Sequence, residues 1–95
     1  MNTIESVLHW PTSETGIKYR LIDYNGIAIR GLVRTEGLTY RIIFEAYKNG
    51  NLLVSEANSY DTEINETQIY ENLKEVYERL AIDKPSFNQF LAMSL

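Results

Sequence analysis

The side chains that carry most enzyme chemistry are scarce in this sequence of 95 residues. It has no cysteine, which excludes thiolate nucleophiles, disulfides and cysteine-type zinc sites. The single histidine, His9, cannot form a two-histidine metal site, and beside Trp10 it is typical of a packing residue. No serine lies in a Gly-x-Ser-x-Gly nucleophile elbow, and the dispersed glycines form no phosphate-binding loop. We therefore predict that the protein is not an enzyme and has no catalytic residue, cofactor or metal ion.

One acidic cluster resembles the beginning of a calcium-binding loop. Asp61, Glu63 and Asn65 alternate as the first three ligands of an EF-hand loop do. The sixth position of such a loop requires glycine and the twelfth requires glutamate, but this chain has Glu66 and Asn72 there. The acids are better interpreted as residues at a helix N-terminus, where they complement the helix dipole.

The length and composition are typical of one small globular domain. The net charge is −4, so the whole molecule repels a phosphate backbone at long range, although one face could still be basic. No apolar stretch approaches the ~20 residues that a membrane span needs. The N-terminus is acidic and lacks the basic region of a signal peptide. We expect a cytoplasmic protein that does not bind membranes.

The middle of the sequence predicts an antiparallel β-meander. Four runs rich in Ile, Leu, Val and Tyr are separated by short glycine-containing turns, and short turns join antiparallel neighbours. The runs are 17–23, 27–34, 38–47 and 52–59, and the turns contain Gly26, Gly37 and Gly50.

The last third of the sequence predicts helices that cover the sheet. A main helix over 65–82, with Asn65 as N-cap, places four apolar residues on one stripe. The stripe is Ile69, Leu73, Val76 and Leu80. A short helix or tail over 86–95, capped by Ser86, carries Phe87, Phe90 and Leu91. These three residues either close the core, which we favour, or bind a partner.

The predicted fold class is therefore α+β: a four-stranded antiparallel β-meander with a C-terminal amphipathic helix packed on one face, plus short terminal helices. Residues 1–95 form a single domain. It consists of an N-terminal segment whose helix or strand character is open (1–16), the meander (17–60), the main helix (65–82) and the short C-terminal helix or tail (86–95).

The register of the strands decides which side chains share a face. A two-residue turn at Asn25-Gly26 pairs Leu21 with Arg30 and mixes apolar and charged residues on both faces. A three-residue loop over 24–26 pairs Leu21 with Ile29 instead and gives one apolar face, so we choose it. The same reasoning predicts a three-residue loop over 48–50. For the middle hairpin we predict a tight turn at Glu36-Gly37. The resulting pairs are Ile17–Val33, Ile29–Phe44, Val33–Tyr40, Phe44–Val54 and Ala46–Leu52, and the predicted apolar face also carries Tyr19.

In this register the outer face of the sheet is the one feature that indicates a function. Five of the nine basic residues lie there among aliphatic residues and a tyrosine, with Arg20 directly opposite Arg30. The candidate partner-binding residues are Lys18, Arg20, Ile22, Arg30, Leu32, Arg34, Arg41, Ile43 and Tyr47.

Three interpretations of the outer face are open. It is a solvated face covered by arginine stems, a protein interface, or a surface for single-stranded nucleic acid. We predict a small non-enzymatic protein-binding or accessory/regulatory module that self-associates through the sheet. Its partner is then another protein or a second copy of the chain. Single-stranded nucleic acid is the alternative.

Overall fold

The computed structural model describes residues 10–61 and 66–93, which form four strands followed by two helices. The sheet has the order β1-β2-β3-β4, and every neighbouring pair is antiparallel. The elements are β1 (Lys18–Tyr24), β2 (Ile27–Glu36), β3 (Thr39–Lys48), β4 (Asn51–Tyr60), α1 (Glu66–Glu78) and α2 (Phe87–Ala92). The predicted α+β class and antiparallel sheet are confirmed. The predictions for residues 1–9, including His9, and for the Asn65 N-cap fall outside the described residues.

The first and third hairpins close with two-residue turns, Asn25-Gly26 and Asn49-Gly50. Both residues of each turn have positive φ, at 52° and 80° in the first and 54° and 79° in the second. Positive φ at both central positions defines the type I′ turn, whose twist matches that of the flanking strands. The predicted three-residue loops were therefore wrong.

The tighter first turn moves β1 by one position against β2, so every β1 side chain changes face. Ile22 pairs with Ile29 and is 1% exposed in the core, whereas Leu21 pairs with Arg30 and is 41% exposed. Tyr19 and Leu21 therefore leave the predicted apolar face. Lys18, Arg20 and Ile22 move to it from the predicted outer face.

The middle hairpin turns at Gly37-Leu38, and its register differs from the prediction by two residues. Ile29 pairs with Ala46, and Gly31 lies opposite Phe44. A shift by an even number keeps each side chain on its face, so the predicted faces of β2 and β3 are correct. A Cβ at position 31 would lie 2.7 Å from Cε1 of Phe44, so glycine makes room for that ring.

The third hairpin contains a β-bulge. Ala46 pairs with Val54, but Tyr47 pairs with Leu52, which leaves Leu53 as the extra residue on β4. The two-residue turn places Leu52 on the side of Tyr47, where it is 54% exposed, rather than in the core as predicted, and the bulge returns Val54 to the side of Ala46.

The two helices pack on the face of the sheet that carries Phe44. The Phe44 ring meets the rings of Tyr77 on α1 and Phe90 on α2 edge-on, at centroid distances of 5.4 and 5.6 Å. All four residues of the predicted α1 stripe are buried, although α1 ends at Glu78 rather than at 82. Ser86 caps α2 in a capping box. The three apolar residues of α2, Phe87, Phe90 and Leu91, are buried, so they close the core as predicted.

Candidate functional site

The alternation of side chains gives the sheet two faces of different character. The covered face lies beneath α1 and α2 and carries Ile22, Ile29, Val33, Ile42 and Phe44. We call the other side the open face, since both described helices pack on the covered side. By the observed pairing, the open face carries Tyr19, Leu21, Asp23, Ala28, Arg30, Leu32, Arg34, Glu36, Thr39, Arg41, Ile43, Glu45, Tyr47, Leu52, Ser55, Ala57 and Ser59.

A continuous apolar row crosses the middle of the open face. Tyr19 pairs with Leu32, Leu32 with Ile43, and Ile43 with Ala57, so the row contains one residue from each strand. Tyr19, Leu32 and Ile43 are half-buried. Cross-strand neighbours cover each other's flanks, which leaves the outer surfaces of the side chains in water.

Further apolar side chains lie toward the turns that join β1 to β2 and β3 to β4. Leu21 lies beside the row on β1, and Leu52 lies beside Tyr47 on β4. Leu21 and Leu52 are both largely exposed. Exposed apolar side chains on the open face are therefore not confined to the one row.

The charges of the open face are balanced. Arg30 lies opposite Glu45, and Arg34 forms an ion pair with Glu36. Arg34 also lies opposite Arg41, a like-charge pair that is mildly unfavourable in isolation. The three arginines are matched by three carboxylates, those of Asp23, Glu36 and Glu45.

Tyr47 and Glu45 form a polar pair beside the apolar row. Desolvation raises the pKa of the Tyr47 hydroxyl, and its hydrogen bond with the Glu45 carboxylate raises the pKa further. Since the ordinary pKa of tyrosine already lies well above neutral pH, the hydroxyl is protonated there and donates this hydrogen bond to Glu45. Arg30 on the neighbouring strand partly opposes this shift, since its positive charge lowers the pKa of the same group.

Six of the nine predicted partner-binding residues lie on the open face, and three do not. The six are Arg30, Leu32, Arg34, Arg41, Ile43 and Tyr47. Lys18, Arg20 and Ile22 lie on the covered side, because the two-residue turn reverses the faces of β1. The prediction that Arg20 shares a face with Arg30 and Arg41 was therefore wrong, and Arg20 lies opposite Gly31.

Arg20 has a structural role at the end of α2. Its Nε donates to the carbonyl oxygen of Phe90 at 3.2 Å, and its Nη2 donates to that of Met93. The last carbonyl groups of a helix lack partners within the helix, so the guanidinium satisfies them and complements the negative end of the dipole. Arg20 thereby attaches α2 to the sheet.

The sequence interpretation missed Tyr19, Leu21 and Leu52 as members of the open face. An available signal was the Asn-Gly dipeptide, which is the strongest short-range indication of a two-residue type I′ turn. The bulge at Leu53 has no comparable signal in the sequence.

The other surfaces of the described residues show fewer features of a binding site than the open face. A shallow depression of about 470 Å³ is lined by residues of α1 alone. Within residues 10–61 and 66–93, no three His, Asp or Glu side chains are grouped so that they could hold a metal ion. Neither described helix is long and apolar enough to cross a membrane.

Comparisons with protein-family models, with curated proteins and with solved structures find no match.

Proposed function

We propose that this protein is a small non-enzymatic accessory module of the cytoplasm, which binds another protein on its open face. The observation that carries the proposal is the apolar row of Tyr19, Leu32 and Ile43, which no described helix covers. The absence of cysteine fits a reducing compartment.

The arrangement of the open face has the anatomy of a protein interface. Such interfaces have an apolar centre rich in aromatic and aliphatic side chains, surrounded by a polar rim in which arginine is frequent. The row supplies the centre, and Arg30, Arg41 and Glu45 supply part of the rim. A partner with a flat apolar surface and charges of both signs would match it.

The balance of charge favours protein over nucleic acid. Single-stranded nucleic acid requires a positive surface that follows the phosphates. With Lys18 and Arg20 on the covered side, three arginines and three carboxylates remain. The Arg34–Arg41 pair, with Tyr19 and Tyr47 on the same face, is the observation that supports nucleic acid as a second candidate.

The proposal is tested with Leu32→Glu and with a matched control, Leu38→Glu. Both place a carboxylate on a leucine position of the meander, but Leu32 is half-buried in the row, whereas Leu38 lies in the β2–β3 turn, away from the row, and is 92% exposed. Proteins that the wild type retains and Leu32→Glu does not are purified and titrated by calorimetry. We expect Leu32→Glu to weaken binding by roughly 100-fold or more and Leu38→Glu to leave it unchanged. Equal affinity for both variants would contradict the proposal.

Binding of single-stranded nucleic acid, the second candidate, is distinguished from protein binding by its dependence on salt. Nucleic-acid binding measured by fluorescence anisotropy at about 50 mM salt should weaken steeply as salt rises. It should also be lost in Arg34→Glu/Arg41→Glu. No change of anisotropy with single-stranded oligonucleotides eliminates this candidate.

A further inference from the structure

The two edges of the sheet are protected to different extents. At the β1 edge, the backbone N–H of Tyr19 donates to the carbonyl oxygen of Pro11 at 3.0 Å, and Thr12 forms a β-bridge with Lys18. β1 also has only seven residues and carries Lys18, Arg20 and Asp23. Partial pairing, shortness and charge are the features by which proteins keep an edge from joining another sheet.

The β4 edge has few of these features. β4 has ten residues and contains no Lys, Arg or Pro. Its single charged residue, Glu56, lies on the covered side with its Oε2 3.6 Å from Nε of Arg79. Its bulge lies near one end and leaves 54–60 in regular pairing with β3. Within residues 10–61 and 66–93, no segment pairs with the outer side of β4.

The pairing pattern shows which backbone groups of β4 point outward. In a two-residue hairpin the closing pair, here Glu36 and Thr39, exchanges both hydrogen bonds, and the pattern then alternates along the ladder. The odd-numbered residues of β3 therefore bond β2, and its even-numbered residues bond β4. The backbone groups of Ser55, Ala57 and Ser59 consequently point away from the sheet.

A contact at Ser59 supports this assignment. Its backbone N–H donates to Oδ1 of the neighbouring Asn58 at 3.1 Å. A side chain of the same strand thus occupies the position at which an adjacent strand would accept this hydrogen bond. A strand that pairs with β4 at this position would have to replace the contact with Asn58.

We propose that β4 pairs antiparallel with β4 of a second copy of this chain, with Ala57 opposite Ala57 on the two-fold axis. Two identical edges can pair in this way because a two-fold interface uses the same strand on both sides. The proposal concerns the edge and is independent of whether the open face binds a protein.

Several two-fold symmetric registers let the outward backbone groups of the two β4 strands bond each other. The charges that face each other and the length of the paired segment select this register among them. Centring the axis on Glu56 would place two like carboxylates opposite each other, which is destabilising. Centring it on Asn58 would shorten the paired segment. Centring it on Ala57 pairs Glu56 with Asn58 and Val54 with Tyr60, and it uses all seven residues of 54–60. The result is an eight-stranded sheet in which the two open faces form one continuous surface.

The register is tested by disulfide formation, which is convenient because the chain has no cysteine. Opposed residues of a hydrogen-bonded antiparallel pair have Cα atoms about 5.5 Å apart, within the range of a disulfide. We expect Ala57→Cys to form a covalent dimer under mild oxidation at tens of micromolar protein. Leu21→Cys, at an exposed position of the β1 edge, is the matched control and should remain monomeric.

A mixed experiment makes the test specific. Ser55→Cys and Ser59→Cys should each remain monomeric alone. In the proposed dimer, the cysteine of one chain lies about four residues, or roughly 13 Å, from the same cysteine of the other chain. A mixture of the two should form a covalent heterodimer, since Ser55 faces Ser59 across the axis. The proposal is overturned if Ala57→Cys cross-links no faster than Leu21→Cys, or if the mixture forms no heterodimer.

Three further variants test the dimer without cysteine. Ala57→Pro removes an outward N–H that has no role in the ladder with β3, and proline is tolerated on edges. We expect it to halve the mass measured by light scattering at tens of micromolar, where the wild type is a dimer. Because proline could also disturb the strand, Ser55→Lys/Ser59→Lys should likewise be monomeric, whereas Ser55→Lys/Ser59→Glu should be dimeric. A monomeric wild type, or equal masses for the two double variants, overturns the proposal.

The two proposals fail in different ways. Leu32→Glu alters the apolar row from β2, two strands away from Ala57, and leaves the backbone of β4 unchanged, so the Ala57→Cys cross-link should also form in this background. Loss of that cross-link in the presence of Leu32→Glu overturns the edge pairing as described. Partner binding is measured separately, with Leu32→Glu and Leu38→Glu.

Discussion

The two faces of strand β3 differ in how deeply their side chains are buried. Its even-numbered residues, Tyr40, Ile42, Phe44 and Ala46, are fully buried beneath the helices. Its odd-numbered residues from Arg41 to Tyr47 are exposed or half-buried on the open face. The same strand thus contributes to a buried core on one side of the sheet and to a partly exposed apolar surface on the other.

The difference shows that β-sheet alternation alone does not create a core. Both faces carry aliphatic residues at central positions, and Ile42 and Ile43 are chemically identical. The covered face is complete because α1 and α2 bring Tyr77 and Phe90 onto it, and Phe87 packs behind them against Tyr77. Stability should therefore depend on the covered face, and binding on the open one.

The largest difference is expected between Phe44→Ala and Ile43→Ala. Phe44→Ala removes a fully buried ring between Tyr77 and Phe90, so we expect it to lower the free energy of unfolding by about 3–5 kcal/mol. Ile43→Ala removes a half-exposed side chain and should cost about 1 kcal/mol or less. Urea unfolding measures both values, and similar losses would show that the open face also contributes to the core.

A smaller difference is expected between two arginines on opposite faces. Arg20→Gln removes charge-assisted hydrogen bonds to the last carbonyl groups of α2, and we expect a loss of about 1.5–3 kcal/mol. Arg41→Gln, on the open face, should change the free energy of unfolding by about 0.5 kcal/mol or less. Hydrogen exchange gives a second readout, because Arg20→Gln should reduce protection in α2 specifically. Equal losses in the free energy of unfolding for the two variants would contradict the structural role assigned to Arg20.

The smallest effect is expected in alkaline solution. Burial raises the pKa of the Tyr77 hydroxyl, with further increases from Glu78 and Tyr24, and the hydroxyl donates to the carbonyl oxygen of Pro85 at 2.7 Å. Above pH ~10 the unfolded chain loses this proton while the folded chain keeps it, so stability falls by at most about 1.4 kcal/mol per pH unit from this group. Below pH ~10 both states are protonated, and the group contributes no slope.

Tyr77→Phe isolates that contribution. The variant should lose about 1 kcal/mol at neutral pH, from the hydrogen bond, and show a shallower decline of stability above pH ~10. Chemical unfolding at several pH values measures the slope. Identical alkaline slopes in wild type and variant would show that Tyr77 does not titrate on unfolding.

Much of the fold could be predicted because its signals are local. The 3.6-residue spacing of Ile69, Leu73, Val76 and Leu80 identified the buried stripe of α1, and the short glycine turns identified the meander. The faces of β2 and β3 were also correct, since a register error of two residues preserves the alternation. The candidate site was predicted in part, because six of its residues lie on these two strands.

The face of β1 could not be obtained from the same reasoning. The two possible turns at Asn25-Gly26 give opposite faces, and the structure has the rejected one. It places the charged Arg20 on the covered side, where Arg20 has hydrogen-bond partners. Those partners belong to Phe90 and Met93, which lie 70 and 73 positions further along the chain. A criterion based on separating apolar from charged residues therefore selects the wrong face.

The sequence by itself determined the elements, their antiparallel order and the apolar stripe of α1, because each depends on contacts between near neighbours. The tertiary structure alone decided which partners Arg20 has on the covered side, where the bulge returns Val54 to that side, and which of the two edges is left without a covering segment among the described residues. These features depend on how α2, the Pro11 segment and the sheet fit together in space, and such long-range contacts leave no periodic pattern in the chain.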